Sequence, residues 1–332
     1  MREIGSEFWE TNREGQERRS EPNTVYLLSG RTALDFIIRD IKAMRTFSKV
    51  MLPSYCCDSM IEPFIHNGIE IQFYPVSENK ISYPVNNAEA VLLIDYFGYV
   101  NPQNEEIARL GQQQGKIVIY DATHKLNGTH IHVDYSFCSY RKWTYCNFAS
   151  VSKRCGTFNI TSPTVTNGQY IKKRDEAAKL KAEYMAGRTK DKSRFLAMFA
   201  EAEELLDRDY FEYYGLPACI ETDYIVKRRR ENAEYLIDEL KNVPGIRLWK
   251  ENLSQEDTPL FVPVFVENGK RDDLRKFLTQ NNIYCPIHWP LTDKHGGFRE
   301  LYHEELSLIC DQRYTPEDMD REIAMINSFL RR

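Results

Sequence analysis

The chain has 332 residues, 42% of them hydrophobic and 28% charged, which is the balance of a folded globular protein and excludes a mainly disordered one. Its 44 lysines and arginines against 49 aspartates and glutamates leave a net charge of −5, which argues against nucleic-acid binding, since that favours a basic footprint. At ~150 residues per domain the length predicts about two domains. No run of eighteen apolar residues occurs, so no membrane-spanning helix is expected. The polar start MREIGSEFWETNREGQERRSEPN lacks the apolar stretch of a secretory signal. Eight cysteines (Cys56, Cys57, Cys138, Cys146, Cys155, Cys219, Cys285 and Cys310) form no C-x-x-C pair. They predict no metal site and a reducing, cytoplasmic setting.

Residues 1–24 read as a loosely held polar arm. VYLLSG then leads into RTALDFIIRDIKAM, where Ala33, Phe36, Ile37, Asp40 and Ile41 follow helical spacing and Ser29 and Gly30 supply cap and turn. KVMLPS is a short apolar run, and CDSMIEPFIHNG a helix closed at Gly68. IEIQFYPV, AVLLIDYFG and KIVIYDATH read as buried strands, with EEIARLGQQQG as a helix between the last two. This alternation predicts an α/β domain over residues 25–214, built on a mainly parallel sheet flanked by helices. Ligands of such sheets bind beyond the C-terminal strand ends, where Asp95, Asp121 and the segment after SFCS fall. From about Asp175 the pattern turns to charged helices over 175–213 and 223–242. IRLWK and LFVPVFV read as strands, GKRDDLRKFLTQNN as a helix, and PEDMDREIAMINSFLRR as a terminal helix capped by Thr315 with Pro316 at its first position. Residues 215–332 are expected to form a smaller C-terminal α+β domain.

Three places carry candidate chemistry. Asp121 ends an apolar strand; it is either a turn residue or a carboxylate held at the ligand edge. His124, three residues on, reads as a structural histidine or as half of a metal pair that no further ligands complete. Lys142 lies in SFCSYRKWTY, where Arg141 and the aromatic neighbours Tyr140, Trp143 and Tyr145 are unusual for a solvated turn. A lysine whose ammonium is disfavoured by burial or nearby cations can bond covalently to carbonyls. Gly30, Arg31 and Thr32 open a helix, whose free N–H groups suit a phosphate.

The order of S-G-R-T-A-L at 29–34, L-P-S-Y-C-C at 52–57, Y-D-A-T-H at 120–124 and S-Y-R-K-W at 139–143 resembles the DegT-type sugar aminotransferases, pyridoxal-phosphate enzymes of fold type I. I-H-W-P-L at 287–291 and the segment 306–319 resemble that family's small domain. The resemblance implies that Lys142 binds pyridoxal 5'-phosphate covalently and that Asp121 pairs with its ring nitrogen. It implies that His124 meets the phenolic oxygen, and that Gly30, Arg31 and Ser139 hold the phosphate. Tyr55 and Cys57 would lie against the cofactor, and His288 and Trp289 against the substrate. It further implies a homodimer that transfers an amino group, from a donor such as glutamate, to a keto sugar carried on a nucleotide, in polysaccharide or amino-sugar synthesis. Departures from the family are Arg31 for its usual threonine, Cys57 where a stacking aromatic is frequent, Asp95 for histidine, and CNFASVS for the glycine-rich stretch after the lysine. These leave two alternatives: a non-sugar substrate for the same cofactor, or a non-catalytic dimer that keeps the fold for binding or regulation.

Overall fold

The computed structural model of the chain describes residues 2–9, 23–77, 80–81, 87–126, 128, 131–295 and 299–331. Its main sheet has seven strands: Thr24–Leu27 (β1), Lys49–Pro53 (β2), Glu70–Tyr74 (β3), Ala90–Ile94 (β4), Ile117–Asp121 (β5), Tyr135–Ser139 (β6) and Ala149–Lys153 (β7). Their spatial order is β1-β7-β6-β5-β4-β2-β3. Strands β6, β5, β4, β2 and β3 pair in parallel, and β7 runs antiparallel to both its neighbours. The sheet is mainly parallel because its apolar strands are joined through helices, as the alternation in the sequence requires. Strand β4 (AVLLI) is buried along its whole length, as expected of a strand covered on both faces.

Helix Gly30–Met44 (α1) follows β1 directly. The Ser29 hydroxyl accepts the Thr32 N–H and caps it. Phe36, Ile37 and Ile41 bury one side of the helix against Leu52, Leu92 and Ile119 of the sheet. The other face of the sheet carries Met51, Val91, Leu93 and Val118, packed with Trp143 and Phe265. Helices Gly168–Met185 (α4) and Ser193–Arg208 (α5) pair with each other. Beyond them, Ile246–Leu248 (β8), Val262–Val266 (β9) and Glu305–Leu308 (β10) make an antiparallel three-stranded sheet. Helices Thr222–Leu240 (α6) and Pro316–Leu330 (α8) share its core through Leu236, Leu240, Met319 and Ile326. Thr315 and Asp318 close a capping box at the start of α8, with Pro316 in its first turn.

Two findings differ from the sequence reading. Of the expected loose arm, residues 10–22 fall outside the described residues, but residues 2–9 are held in place. Ile4 and Gly5 pair in parallel with Ile283 and Tyr284, and Ile4 is fully buried beside Leu236 and Val264. Strand β7 was not anticipated, because ASVSK lacks an apolar run. Its place is set by a buried polar cluster instead. Lys153 Nζ donates to Asp40 Oδ2 at 2.7 Å and the Tyr135 hydroxyl to the same oxygen at 2.6 Å.

Candidate active site

The parallel strands deliver their C-terminal ends, and the start of α1, to one cavity of about 220 Å3. Gly30, Arg31, Cys57, Asp121, His124, Ser139, Lys142 and Trp289 all line it. Asp121 ends β5, and the β5–β6 register sets it opposite Phe137. Ser139 ends β6 two residues on. One short 3₁₀ turn, Tyr140–Lys142, then carries Lys142 back to the same edge. The interval of 142 − 121 = 21 residues is thus one loop, one strand and one turn.

Burial governs the electrostatics here. It disfavours the Lys142 ammonium, with the Arg141 charge a second cause in the same direction. The sequence reading named both burial and the neighbouring Arg141 as possible causes; burial is the larger. Arg141 is itself occupied by Glu203, in a two-pronged contact of 2.7 and 2.9 Å. Burial also pushes the Asp121 carboxyl up to about 6, against the Thr123 contacts and the Lys142 charge that lower it. Asp121 Oδ1 accepts the Thr123 N–H at 2.8 Å. His124 is pushed down to about 3 by burial, and then by Lys142, so it is neutral. Its Nδ1 accepts the Phe97 N–H at 3.0 Å, which leaves the ring proton on Nε2.

The donor set fits pyridoxal 5'-phosphate. At one end stands the start of α1, with Gly30 facing Ser139. A Cβ built on Gly30 would lie 3.4 Å from Ser139 Cβ. Arg31 there forms an ion pair with Asp207, while its buried Nε has no hydrogen-bond partner among the described residues. A helix start, a hydroxyl and a cation with a spare donor have the chemistry that a phosphate requires. At the other end are a buried carboxylate, a neutral N–H donor and an amine with a disfavoured charge, groups whose chemistry suits a protonated ring nitrogen, a phenolic oxygen and an aldehyde.

Two residue assignments change. Tyr55 does not line the cavity. It is buried behind it, its hydroxyl donating to the His288 carbonyl and its ring 4.9 Å from that of Tyr302. Trp289, expected at the substrate, lines the same cavity as Asp121 and Lys142 and stacks on His124 at 5.7 Å and 27°. It supplies the aromatic surface that Cys57 does not. His288 instead lines a neighbouring cavity that also reaches Lys142. Asp95 takes no part. It is buried and accepts hydrogen bonds from Tyr120, Asn104 and the Asn101 N–H.

Sequence reasoning missed Thr123, which ties the site together. Its hydroxyl accepts the Ser139 N–H and its carbonyl accepts Trp143 Nε1–H. Position alone, between Asp121 and His124, was the available signal. It also missed Glu203 and Arg229, which come from distant helices. Among the described residues no cluster could hold a metal ion, and no helix is long and apolar enough to cross a membrane.

The sheet order, its single antiparallel interior strand and the cavity at the strand ends define a fold type I architecture of the pyridoxal-phosphate proteins. Residues 220–317 match the model of the DegT/DnrJ/EryC1/StrS aminotransferase family, so the resemblance read from the sequence is found again in a stretch that does not include Asp121 or Lys142. Among solved structures, the aminotransferase TlmJ from Streptoalloteichus hindustanus superposes with a TM-score of 0.65 at 16% identity, covering 93% of this chain and 86% of that one. DesV from S. venezuelae gives 0.64 at 15% identity, with 93% and 85% covered. DesI, solved in the presence of its TDP-sugar product, gives 0.63 at 12% identity, with 92% and 79% covered. These likenesses establish the fold. No curated protein matches the sequence.

Proposed function

We propose that the chain is a pyridoxal-phosphate-dependent aminotransferase acting on a keto sugar carried on a nucleotide, with glutamate as amino donor. The observation that carries the reading is the convergence of Lys142, Asp121, His124, Ser139 and Gly30 on one cavity. When bound, pyridoxal phosphate supplies the electron sink that amino transfer requires. The α1 start, Ser139 and Arg31 hold its phosphate. Asp121, as a carboxylate, accepts a hydrogen bond from the protonated ring nitrogen and so keeps that proton in place. His124 donates Nε2–H to the phenolic oxygen, and Trp289 covers the ring. Lys142, with its ammonium disfavoured, keeps a free electron pair to bond a carbonyl and to move a proton at the substrate carbon. DesI, which shares the fold, was solved with a TDP-sugar, and that supports the substrate class.

We read residues 25–214 as the cofactor domain and 215–332 as a smaller domain closing the site. The protein is a homodimer in this reading, in which Leu216 and Tyr224, 57% and 52% exposed in the single chain, are covered by a second copy. All eight cysteines are free, which supports a cytoplasmic setting. The test incubates the cofactor-loaded chain with glutamate and a panel of keto-sugar nucleotides. Formation of one amino-sugar nucleotide with equimolar 2-oxoglutarate is expected. Cofactor binding with no amino transfer to any member would favour the non-sugar or non-catalytic alternatives.

A further inference from the structure

Lys142 lines a second cavity, of about 300 Å3, whose walls include Phe8, Arg229, Phe261, His288 and Arg313 but not Asp121 or Ser139. Arg313 is neutralised there by Asp311 at 2.7 Å. Among the described residues Arg229 has no carboxylate in contact, and the charge of Asp311 reaches it only at longer range. It is 1% exposed, and its guanidinium lies over the Trp143 ring at 4.5 Å. Its Nε donates to Gln312 Oε1 and its Nη1 to the Leu260 carbonyl. Among the described residues no carboxylate lies within ion-pair distance of it and its Nη2 has no partner. A buried cation without a counter-charge in contact is costly.

His288, also buried, is the second group. Its Nδ1 is 2.8 Å from Ser307 Oγ, and Ser307 Oγ is 2.5 Å from Glu305 Oε1. Glu305 Oε2 accepts the backbone N–H of His288 at 2.6 Å. Glu305 and Ser307 are fully buried. No cationic side chain reaches the Glu305 carboxyl among the described residues, because Arg271 donates to the backbone carbonyls of Tyr302 and Glu305 instead. A buried carboxyl with no cation in contact keeps its proton, since burial outweighs the Arg271 charge that lowers it from a distance. Since Oε2 accepts, that proton sits on Oε1, and the contact in which the Ser307 hydroxyl would donate to an ionised carboxylate is turned round, the acid donating to Ser307 Oγ. The Ser307 hydroxyl then gives its own proton to His288 Nδ1. The imidazole, held neutral by burial and by His124 and Lys142, therefore carries its proton on Nε2. That Nε2–H has no partner among the described residues.

We propose that this cavity is a subsite for an anionic oxygen group of the substrate, carboxylate or phosphate, held by Arg229 and by His288 Nε2–H. Ser307 and Glu305 are positioning residues that set the imidazole's tautomer. The proposal rests on the aminotransferase reading only in calling the ligand a substrate. Burial raises Glu305 to about 8, so the relay holds at neutral pH and reverses above it. The other groups facing Glu305 are Tyr55, Cys285 and Arg271. Burial raises the first two well above their usual values, so they stay uncharged through this range.

The test titrates glutarate and, separately, inorganic phosphate calorimetrically into the full chain loaded with pyridoxal phosphate, so that the cradle at Gly30 is filled. Saturable binding of one ion is expected at pH 7; preference for glutarate marks a carboxylate subsite, and preference for phosphate a nucleotide one. Arg229→Gln, His288→Phe and Ser307→Ala should each weaken it by about tenfold or more. Glu305→Gln should leave it within about twofold, because the amide N–H donates to Ser307 as the acid does. Raising the pH from 7 to 9 should weaken binding to the wild type but not to Glu305→Gln. Circular dichroism checks that each variant is folded, with Arg229→Lys as the milder replacement. Binding is read without turnover, so a failed amino transfer leaves this result intact. Absence of binding by both ions, unchanged binding in Arg229→Gln and His288→Phe, or a Glu305→Gln variant as weak as Ser307→Ala would overturn the proposal.

Discussion

Asp121 and Lys142 line one cavity, and burial acts on them in opposite senses: it lifts the carboxyl to about 6 and lowers the ammonium. Each then waits for a partner that favours its reactive form. Asp121→Asn removes the charge that holds a protonated ring nitrogen, and should weaken pyridoxal phosphate binding by about tenfold or more, measured by absorbance titration. Equal affinity would remove Asp121 from the cofactor site. Glu322 offers a test of burial away from the cavity. It is fully buried and pushed up to about 7 by desolvation, with Oε2 lacking a hydrogen-bond partner among the described residues. The native state holds a proton that the unfolded state releases above ~4.5, so this group's contribution to stability falls as pH rises from there through 7 and stays low above. In urea unfolding, the advantage of Glu322→Gln over wild type should therefore grow by roughly 2 kcal/mol between pH 5 and pH 8. An advantage that is the same at both would contradict the shift. The convergence of Asp121, His124, Ser139 and Lys142 on one cavity was legible because each ends a strand or follows one closely. The Tyr55 and Trp289 assignments were not. Which aromatic reaches the cavity depends on packing between segments more than 230 residues apart, and no local pattern records that.

At the scale of elements, periodicity gave what burial makes periodic. Helix α1, the terminal helix with its Thr315 cap, and strands β4 and β5 stand where apolar spacing and cap residues put them. Strand β7 is the counterexample, because its position is fixed by Lys153 reaching Asp40 of α1, a contact across 113 residues. Asp40 is fully buried. Its carboxyl is held below the usual range because the Lys153, Tyr135 and Asn159 contacts outweigh the burial that raises it. Lys153→Met removes the cation and leaves a buried carboxylate, which should cost about 3 kcal/mol in chemical unfolding. The double variant Asp40→Leu, Lys153→Met should recover much of that loss, since an apolar pair leaves no charge stranded. A single variant as stable as wild type would show that the pair does not anchor the strand.

Across the whole molecule, a mainly parallel sheet early in the chain and an antiparallel three-stranded sheet late in it were legible from where apolar strand runs gave way to charged helices. The docking of residues 2–9 was not, because a two-residue strand carries no periodicity. Assembly belongs to this scale as well. Light scattering should give twice the 39.0 kDa of one chain. Leu216→Arg, which sets a charge on an exposed apolar position, should shift the mass toward a single chain. A wild type of single-chain mass with cofactor present would refute the dimer. The central claim is that Lys142 is the residue that bonds to the cofactor. Purified protein incubated with pyridoxal phosphate, reduced with borohydride and digested should yield one modified peptide, with the modification on Lys142, and Lys142→Ala should lose both the adduct and the yellow colour while remaining folded. A specific, borohydride-stable adduct on another lysine, or one that persists in Lys142→Ala, would contradict it.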